Sequence, residues 1–221
     1  MTEVPVSALS QSPPPSPSPH RSPASLLPTL LRLTETEIVP LLHESAKAGN
    51  MPFGAAILTQ ADLHPVTVAA NDGRSSPLLH GETNCIRQFF EIAEGTRPDT
   101  RSCIFFATHE PCSLCLSGIA WTAFPTVYYL FTYEETQTQL GIPAGVDILE
   151  EVFRVPAPCD TKESLRDRPL YNRHNKFFTI GPISELVEEI KDETERNQAR
   201  AELERIKSLW DGLRHNLPPG P

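Results

Sequence analysis

The 221-residue chain has no run of eighteen or more apolar residues, which excludes a membrane-spanning helix. Its five cysteines follow no secretory leader, so a disulfide framework is not expected, and a reduced compartment is: cytoplasmic, or nuclear. Positive charge is scarce. Nineteen Lys and Arg stand against 28 Asp and Glu, a net charge of −9, and residues 32–183 alone hold 12 against 18. Such a surface repels a phosphate backbone unless a basic patch interrupts it. The one cluster available, Arg166, Arg168, Arg173 and Lys176, contains Asp167 and lacks interleaved aromatics beyond Tyr171. It reads as a solvated loop, and nucleic acid is not an expected partner. Large apolar side chains are almost absent from the first 25 residues, where Pro13, Pro14, Pro15, Pro17, Pro19 and Pro23 are interspersed with serines. The single arginine there, Arg21, is too little for an organellar transit peptide. A disordered leader is expected over residues 1–28.

Two short motifs stand out from this background, His80-Gly81-Glu82 and Pro111-Cys112-Ser113-Leu114-Cys115. One imidazole and two thiolates give zinc three protein ligands and leave a fourth tetrahedral position open for water. Glu82, two residues past the histidine, is placed to handle protons for that water and not to bind metal; together they make a hydrolytic centre. Each half of the pattern is weak alone, because Cys-x-x-Cys also marks redox pairs and structural zinc. Order and surroundings sharpen it. The cysteine pair follows Glu110-Pro111 directly after the apolar run from Cys103 to Ala107, and His-x-Glu opens a helix-like stretch. A closed structural site needs a fourth protein ligand such as Cys85, Cys103 or His109, and no second close pair supplies one. A redox pair would leave His80 and Glu82 without a role. Cys85 reads as a buried small hydrophobe.

The remaining pattern is that of an α/β chain. Thr34-x-x-Glu37 has the form of a capping box, and Ile38, Leu41, Leu42 and Ala46 recur at helical spacing toward Gly49, with Pro40 as a kink. Phe53–Thr59 and Val66–Ala70 are predicted as a β-hairpin, and residues 71–79 as a loop into a helix starting near His80. Ser102–Thr108 predicts a buried strand, and Pro111 opens a second helix through Ile119 and Trp121. Thr126–Phe131, Ile148–Val155 and Phe177–Ile180 are predicted as strands, with a helix over Glu134–Leu140. The strand, crossover, strand order favours parallel pairing. A long charged helix is expected from Pro182 or Ser184 to about Asn216; its stripe of Leu203, Ile206, Trp210 and Leu213 suits either a partner helix or the chain's own core.

The two motifs, with Pro52-Phe53-Gly54-Ala55 upstream and Asn71 between, resemble the cytidine/deoxycytidylate deaminase superfamily, nearest its branch of free-base deaminases and tRNA adenosine deaminases. The resemblance covers about Leu30 to Ile180. It implies a three-layer α/β/α sandwich around a five-stranded mixed sheet, and hydrolytic removal of an exocyclic amino group. It also implies Zn2+ held by His80, Cys112 and Cys115, Glu82 as the catalytic proton carrier, Asn71 bonded to the edge of the base, and Phe53 lining the pocket. Asn71 as a turn former and Phe53 and Trp121 as core residues are the alternatives. Glycine at position 81, where alanine is commonest, resembles free-cytosine deaminases, whereas Gly118-Ile119-Ala120-Trp121 resembles guanine deaminases. The expected activity is therefore a zinc-dependent deaminase acting on a cytosine- or guanine-type base or nucleoside and releasing ammonia. A tRNA adenosine deaminase, or a subunit of one, and a non-catalytic deaminase-like partner protein are the alternatives. The expected division is a leader to residue 28, a deaminase domain over 29–181, a C-terminal helix over 182–216 and a tail over 217–221, in a chain that forms a homodimer.

Overall fold

The structure, a computed structural model, describes residues 22–142 and 145–213. Its elements in chain order are helix α1 (Pro23–Leu33), a π-helical turn (Thr34–Ile38), α2 (Val39–Lys47), strands β1 (Gly54–Thr59) and β2 (Pro65–Ala70), α3 (Gly81–Glu91), β3 (Cys103–His109), α4 (Ser113–Trp121) and β4 (Thr126–Phe131). Then come α5 (Tyr133–Leu140), α6 (Val146–Ile148) with a π-helical turn (Leu149–Phe153), α7 (Lys162–Asp167), β5 (Thr179–Pro182), α8 (Ile183–Glu188), α9 (Glu193–Ser208) and a 3-10 turn (Leu209–Gly212). The strands form one mixed sheet in the order β2-β1-β3-β4-β5. Strand β1 runs antiparallel to β2 and β3, while β3, β4 and β5 are parallel.

The central strands are nearly continuous apolar runs because both of their faces are covered, as parallel strands between helix layers require. Successive side chains alternate between two cores. Ala55, Ile57, Phe105, Ala107, Val127 and Tyr129 meet Cys85 and Phe89 of α3 and Leu116 and Ile119 of α4. Ala56, Leu58, Ile104, Phe106 and Leu130 meet the layer built from α1, α2, α8 and α9. This is the expected three-layer α/β/α sandwich with a five-stranded mixed sheet. Among the described residues no helix is long and apolar enough to cross a membrane.

Four expectations change. Residues 23–28 of the expected leader are helical, and Leu26 and Leu27 are buried; Pro23 suits the first helical turn, where its missing N–H costs nothing, and Pro28 stays on the exposed side. Residues 1–21 and 214–221 lie outside the described residues. Thr34 does not cap a helix but sits inside one, its hydroxyl donating to the Leu30 carbonyl at 2.8 Å. The turn widens there, with Val39 N–H reaching back to the Thr34 carbonyl, next to Pro40, which has no N–H to give. The stretch Ile148–Val155 is helical over most of its length and not a strand: only Leu149 is buried, while Ile148, Val152, Phe153 and Val155 are exposed, and the sheet edge beside β4 is taken by Thr179–Pro182. The C-terminal segment is two helices, restarted where the Asp192 side chain accepts the Glu195 N–H at 2.9 Å.

Leu203, Ile206, Trp210 and Leu213 are all buried in the same core as Leu26, Leu27 and Leu30. The apolar stripe therefore packs on the chain's own sheet layer and is not open to a partner helix. Helix α1 and the C-terminal helices thus complete one face of the sheet, so residues 29–181 do not close a core by themselves. Truncating Leu27 to alanine should cost about 2–5 kcal/mol, the range for a fully buried leucine, read as a lower urea midpoint. An unchanged midpoint would mean that α1 is not part of the cooperative core.

Candidate metal centre

Both motifs arrive at one end of the sheet because β1 is antiparallel to β3. Ala55 pairs with Ala107, so the chain entering β1 lies beside the chain leaving β3. Helix α3 starts at Gly81 with His80 as its N-cap, and α4 starts at Ser113 with Cys112 as its N-cap, two residues later than Pro111 predicts. Neither N-cap side chain makes a capping hydrogen bond to its helix; both point to a common centre. The Cys112 Sγ lies 3.5 Å from His80 Nδ1 and 3.7 Å from Cys115 Sγ, and Cys115 Sγ lies 3.6 Å from the same nitrogen. With ordinary Zn–S and Zn–N lengths, the edges of a tetrahedron are about 3.8 Å for two sulfurs and about 3.6 Å for sulfur and nitrogen. The donor set fits Zn2+. No fourth His, Cys, Asp or Glu joins it among the described residues; Cys85 instead donates its thiol to the Thr67 carbonyl, and His109 packs among aromatic rings.

Glu82 is buried in the first turn of α3. Its carboxyl is pushed up to about 7, first by loss of hydration and then by the negative Cys112 sulfur. The Cys112 thiol is pulled down to about 4, chiefly by the hydrogen bond from Cys115 and also by His80. Cys115 is correspondingly driven up, since its proton is held against its neighbour's thiolate, and His80 is raised by the same sulfur. The two cysteines and the histidine behave as one electrostatic unit that favours a bound cation.

Asn71 is buried, and its side-chain oxygen accepts the Gly81 N–H at 2.5 Å. It thereby serves the start of α3, a position that His80 leaves uncapped. Its own carbonyl accepts the Ser45 hydroxyl and its N–H donates to Phe53 O. Phe53 is half-buried, its ring edge-on to His109 at 4.5 Å. Trp121 is not core: it is 88% exposed at the end of α4, two positions past Ile119, which takes the sheet-facing side.

Three groups beside Cys112 belong to no sequence motif. Glu110, seen only as the residue before Pro111, is a largely buried carboxylate that accepts the Tyr133 N–H and the Tyr171 hydroxyl; burial raises its pKa. Tyr133 also donates to the Pro111 carbonyl, so one residue grips both neighbours of Cys112 on the N-terminal side. Gly145, at φ +77°, lies against Cys112: a Cβ there would be 2.9 Å from the cysteine Cβ. No spacing rule in the sequence joins 110 to 133 and 171, or 145 to 112. Three members of the predicted basic cluster are neutralised, Arg166 by Asp167, Arg168 by Asp160 and Arg173 by Glu185.

A His-Cys-Cys metal centre at facing helix starts, with a buried carboxyl beside it and a mixed sheet beneath, defines the class. Residues 34–131 match the family described as the cytidine and deoxycytidylate deaminase zinc-binding region. The matched segment, 98 of the 221 residues, contains both motifs and is similar to that family's zinc-binding region. Guanine deaminase of Bacillus subtilis is 31% identical over 94 residues, 41% of this chain and 58% of that protein, so the match spans less than two thirds of the relative. The B. subtilis guanine deaminase crystal structure superposes with a TM-score of 0.46 at 24% identity, over 64% of this chain and 86% of that one. A guanine deaminase from Nitrosomonas europaea gives 0.43 at 15% identity, over 81% and 92%.

Gly81 is the tightest point of the site. A Cβ would lie 2.7 Å from the Gly54 Cα and 2.9 Å from the Phe53 carbonyl oxygen, both backbone atoms that cannot swing away. Gly81→Ala should push α3 off β1, lowering stability by about 1–3 kcal/mol and releasing zinc at lower chelator concentration in elemental analysis. Full zinc retention with an unchanged melting point would show that this contact does not set the helix.

His109 yields a pH prediction. Burial holds its imidazole neutral, its pKa pulled down to about 3, whereas in the unfolded chain it titrates near the ordinary imidazole value of 6.5. Between those values the unfolded state binds the extra proton, so the stability from neutral His109 is complete above pH 6.5 and is lost as pH falls below it. At pH 5.5 the loss should be about 1.4 kcal/mol. The difference in unfolding free energy between the parent and His109→Phe, followed from pH 7.5 to 5.5, isolates it from metal release; parallel curves would contradict a buried neutral imidazole.

Proposed function

We propose that the chain is a zinc-dependent hydrolytic deaminase that removes the exocyclic amino group of a guanine- or cytosine-type base, with His80, Cys112 and Cys115 holding the metal. The observation that carries this reading is the spacing of the three donor atoms, which fits one face of a tetrahedron, with the Glu82 carboxyl buried beside it. Zinc bound there supplies a Lewis acid that brings the pKa of a water toward about 7. The chain's own groups account for the protons. Glu82 takes a proton from the water as the water oxygen bonds to the amino-bearing ring carbon, and delivers it to the adjacent ring nitrogen. The same carboxyl carries the second water proton to the amino group. The carbon–nitrogen bond breaks, ammonia leaves, and a carbonyl stands where the amino group was.

Asn71 spends its side-chain oxygen on Gly81, which leaves its NH2 to donate to the base edge. Phe53, with its ring edge braced by His109, lines the pocket. Guanine is placed ahead of cytosine because the relative that aligns over 94 residues is a guanine deaminase. A small base is placed ahead of RNA because the predicted basic cluster is largely ion-paired. A homodimer stays part of the proposal only through a face other than the Leu203–Leu213 stripe, such as the one carrying Leu114 and Trp121.

Ammonia release from guanine, cytosine, adenine and their nucleosides tests the activity, with parent and Glu82→Gln assayed beside their zinc content. The variant should keep its zinc and melting temperature while turnover falls about 10²–10⁴-fold, the usual contribution of a positioned general acid and base. A variant that keeps both zinc and rate would sink the mechanism. A zinc-loaded parent inert on every base would point to the non-catalytic reading, and tight, steeply salt-dependent tRNA binding to the editing one.

A further inference from the structure

The 3-10 turn that ends the described chain carries Trp210, which is fully buried. Its Nε1–H donates to the Pro52 carbonyl at 3.1 Å, in a buried contact. Pro52 immediately precedes Phe53. The indole also packs edge-on against His109 at 5.9 Å and Phe131 at 5.2 Å between ring centroids, and His109 in turn meets the Phe53 ring. One side chain from beyond residue 131, where the family match ends, therefore reaches Phe53 by two routes, through the backbone at Pro52 and through the imidazole.

We propose that Trp210 is a positioning residue for the base pocket, fixing the Pro52-Phe53-Gly54 turn and so the orientation of the Phe53 wall. The proposal rests on the assignment of Phe53 to the pocket made above. Volume filling alone needs no donor: Leu213, at the end of the same turn and equally buried, fills the same core without one. Beside the indole bond, the turn is held by Gly81 packed against Gly54 and Phe53 and by other hydrogen bonds, with Phe53 N–H donating to the Met51 carbonyl at 2.9 Å. Gly54 N–H donates to the Thr108 hydroxyl, and Phe53 O accepts from Asn71 N–H. Loss of the Trp210 donor leaves a buried carbonyl unpaired next to the residue that meets substrate.

The test compares Trp210→Phe with Leu213→Ala, which loosens the same core without touching Pro52. Backbone hydrogen exchange of the zinc-loaded full chain is the first readout. In Trp210→Phe, exchange at Phe53, Gly54 and Asn71 should quicken about fivefold to tenfold beyond its value in Leu213→Ala after correction for overall stability. The second readout is ammonia release from guanine, where KM should rise about fivefold or more while kcat stays near that of the parent. Equal exchange in the two variants overturns the proposal, and so does local loosening with an unchanged KM. If the parent deaminates no base, the functional reading fails, and exchange alone decides whether Trp210 sets the turn. Should Trp210→Phe not fold, an isostere with sulfur in place of the indole N–H, introduced at position 210 in a Trp121→Phe background, removes the donor alone and is judged by the same two readouts.

Discussion

The close approach of Gly81 to Gly54 is the contact from which the site hangs. Helix α3 can bring its first turn against the start of β1 only because Gly81 has no side chain, since a Cβ there would run into the Gly54 and Phe53 backbone; a Cβ on Gly54 would meet Ile38, Leu42 and the Ala69 carbonyl instead. That approach carries His80 and Glu82 to the end of the sheet where β3 delivers Cys112. The antiparallel pairing of β1 and β3 makes the two arrivals coincide. Neither helix would meet the other's ligand if β1 ran the other way.

Once the helix starts meet, electrostatics favours a cation between them. Thiolate character at Cys112 is supported by the Cys115 proton and by His80, and the amino-terminal end of α4 adds partial positive charge beside it. Asn71 fits this arrangement as a buried cap for α3, and its contact with the base edge is part of the proposal. The polar groups around Glu110 act one layer out. A buried carboxylate costs several kcal/mol unless its lone pairs are used, and here Tyr133 N–H and the Tyr171 hydroxyl use them. In doing so they bind the segment after α7 to the turn that carries Cys112.

The chain beyond the matched region is part of the same machine. Helices α1, α8 and α9 cover one face of the sheet, Arg205 pairs with Glu35 across the π-helical turn, and Lys207 is buried against Glu135 of α5. Through Trp210 this layer also reaches Pro52 and His109 at the end of the sheet. A core that looks like an appended helix in one dimension is, in three, the floor beneath Pro52 and His109.

Much of this was legible in the linear sequence, and the reason is local. A two-residue spacing and a three-residue spacing each place donors within one turn, so His80, Glu82, Cys112 and Cys115 could be named from their neighbours, and continuous apolar runs marked β3 and β4 as buried on both faces. The same local logic failed where the outcome depended on a distant partner. Thr34-x-x-Glu37 has the form of a helix start, but Leu26, Leu27 and Leu30 found a sheet face to cover and the helix began eleven residues earlier. Ile148–Val155 has strand composition, but β5 had already taken the edge beside β4. Which donors are present and how they are spaced is written in the linear chain; the sheet's strand order decided which of them meet, and only the folded core could decide that Glu110 and Gly145 lie beside Cys112 and that Trp210 reaches Pro52, because contacts across 23 to 158 residues leave no period in the chain.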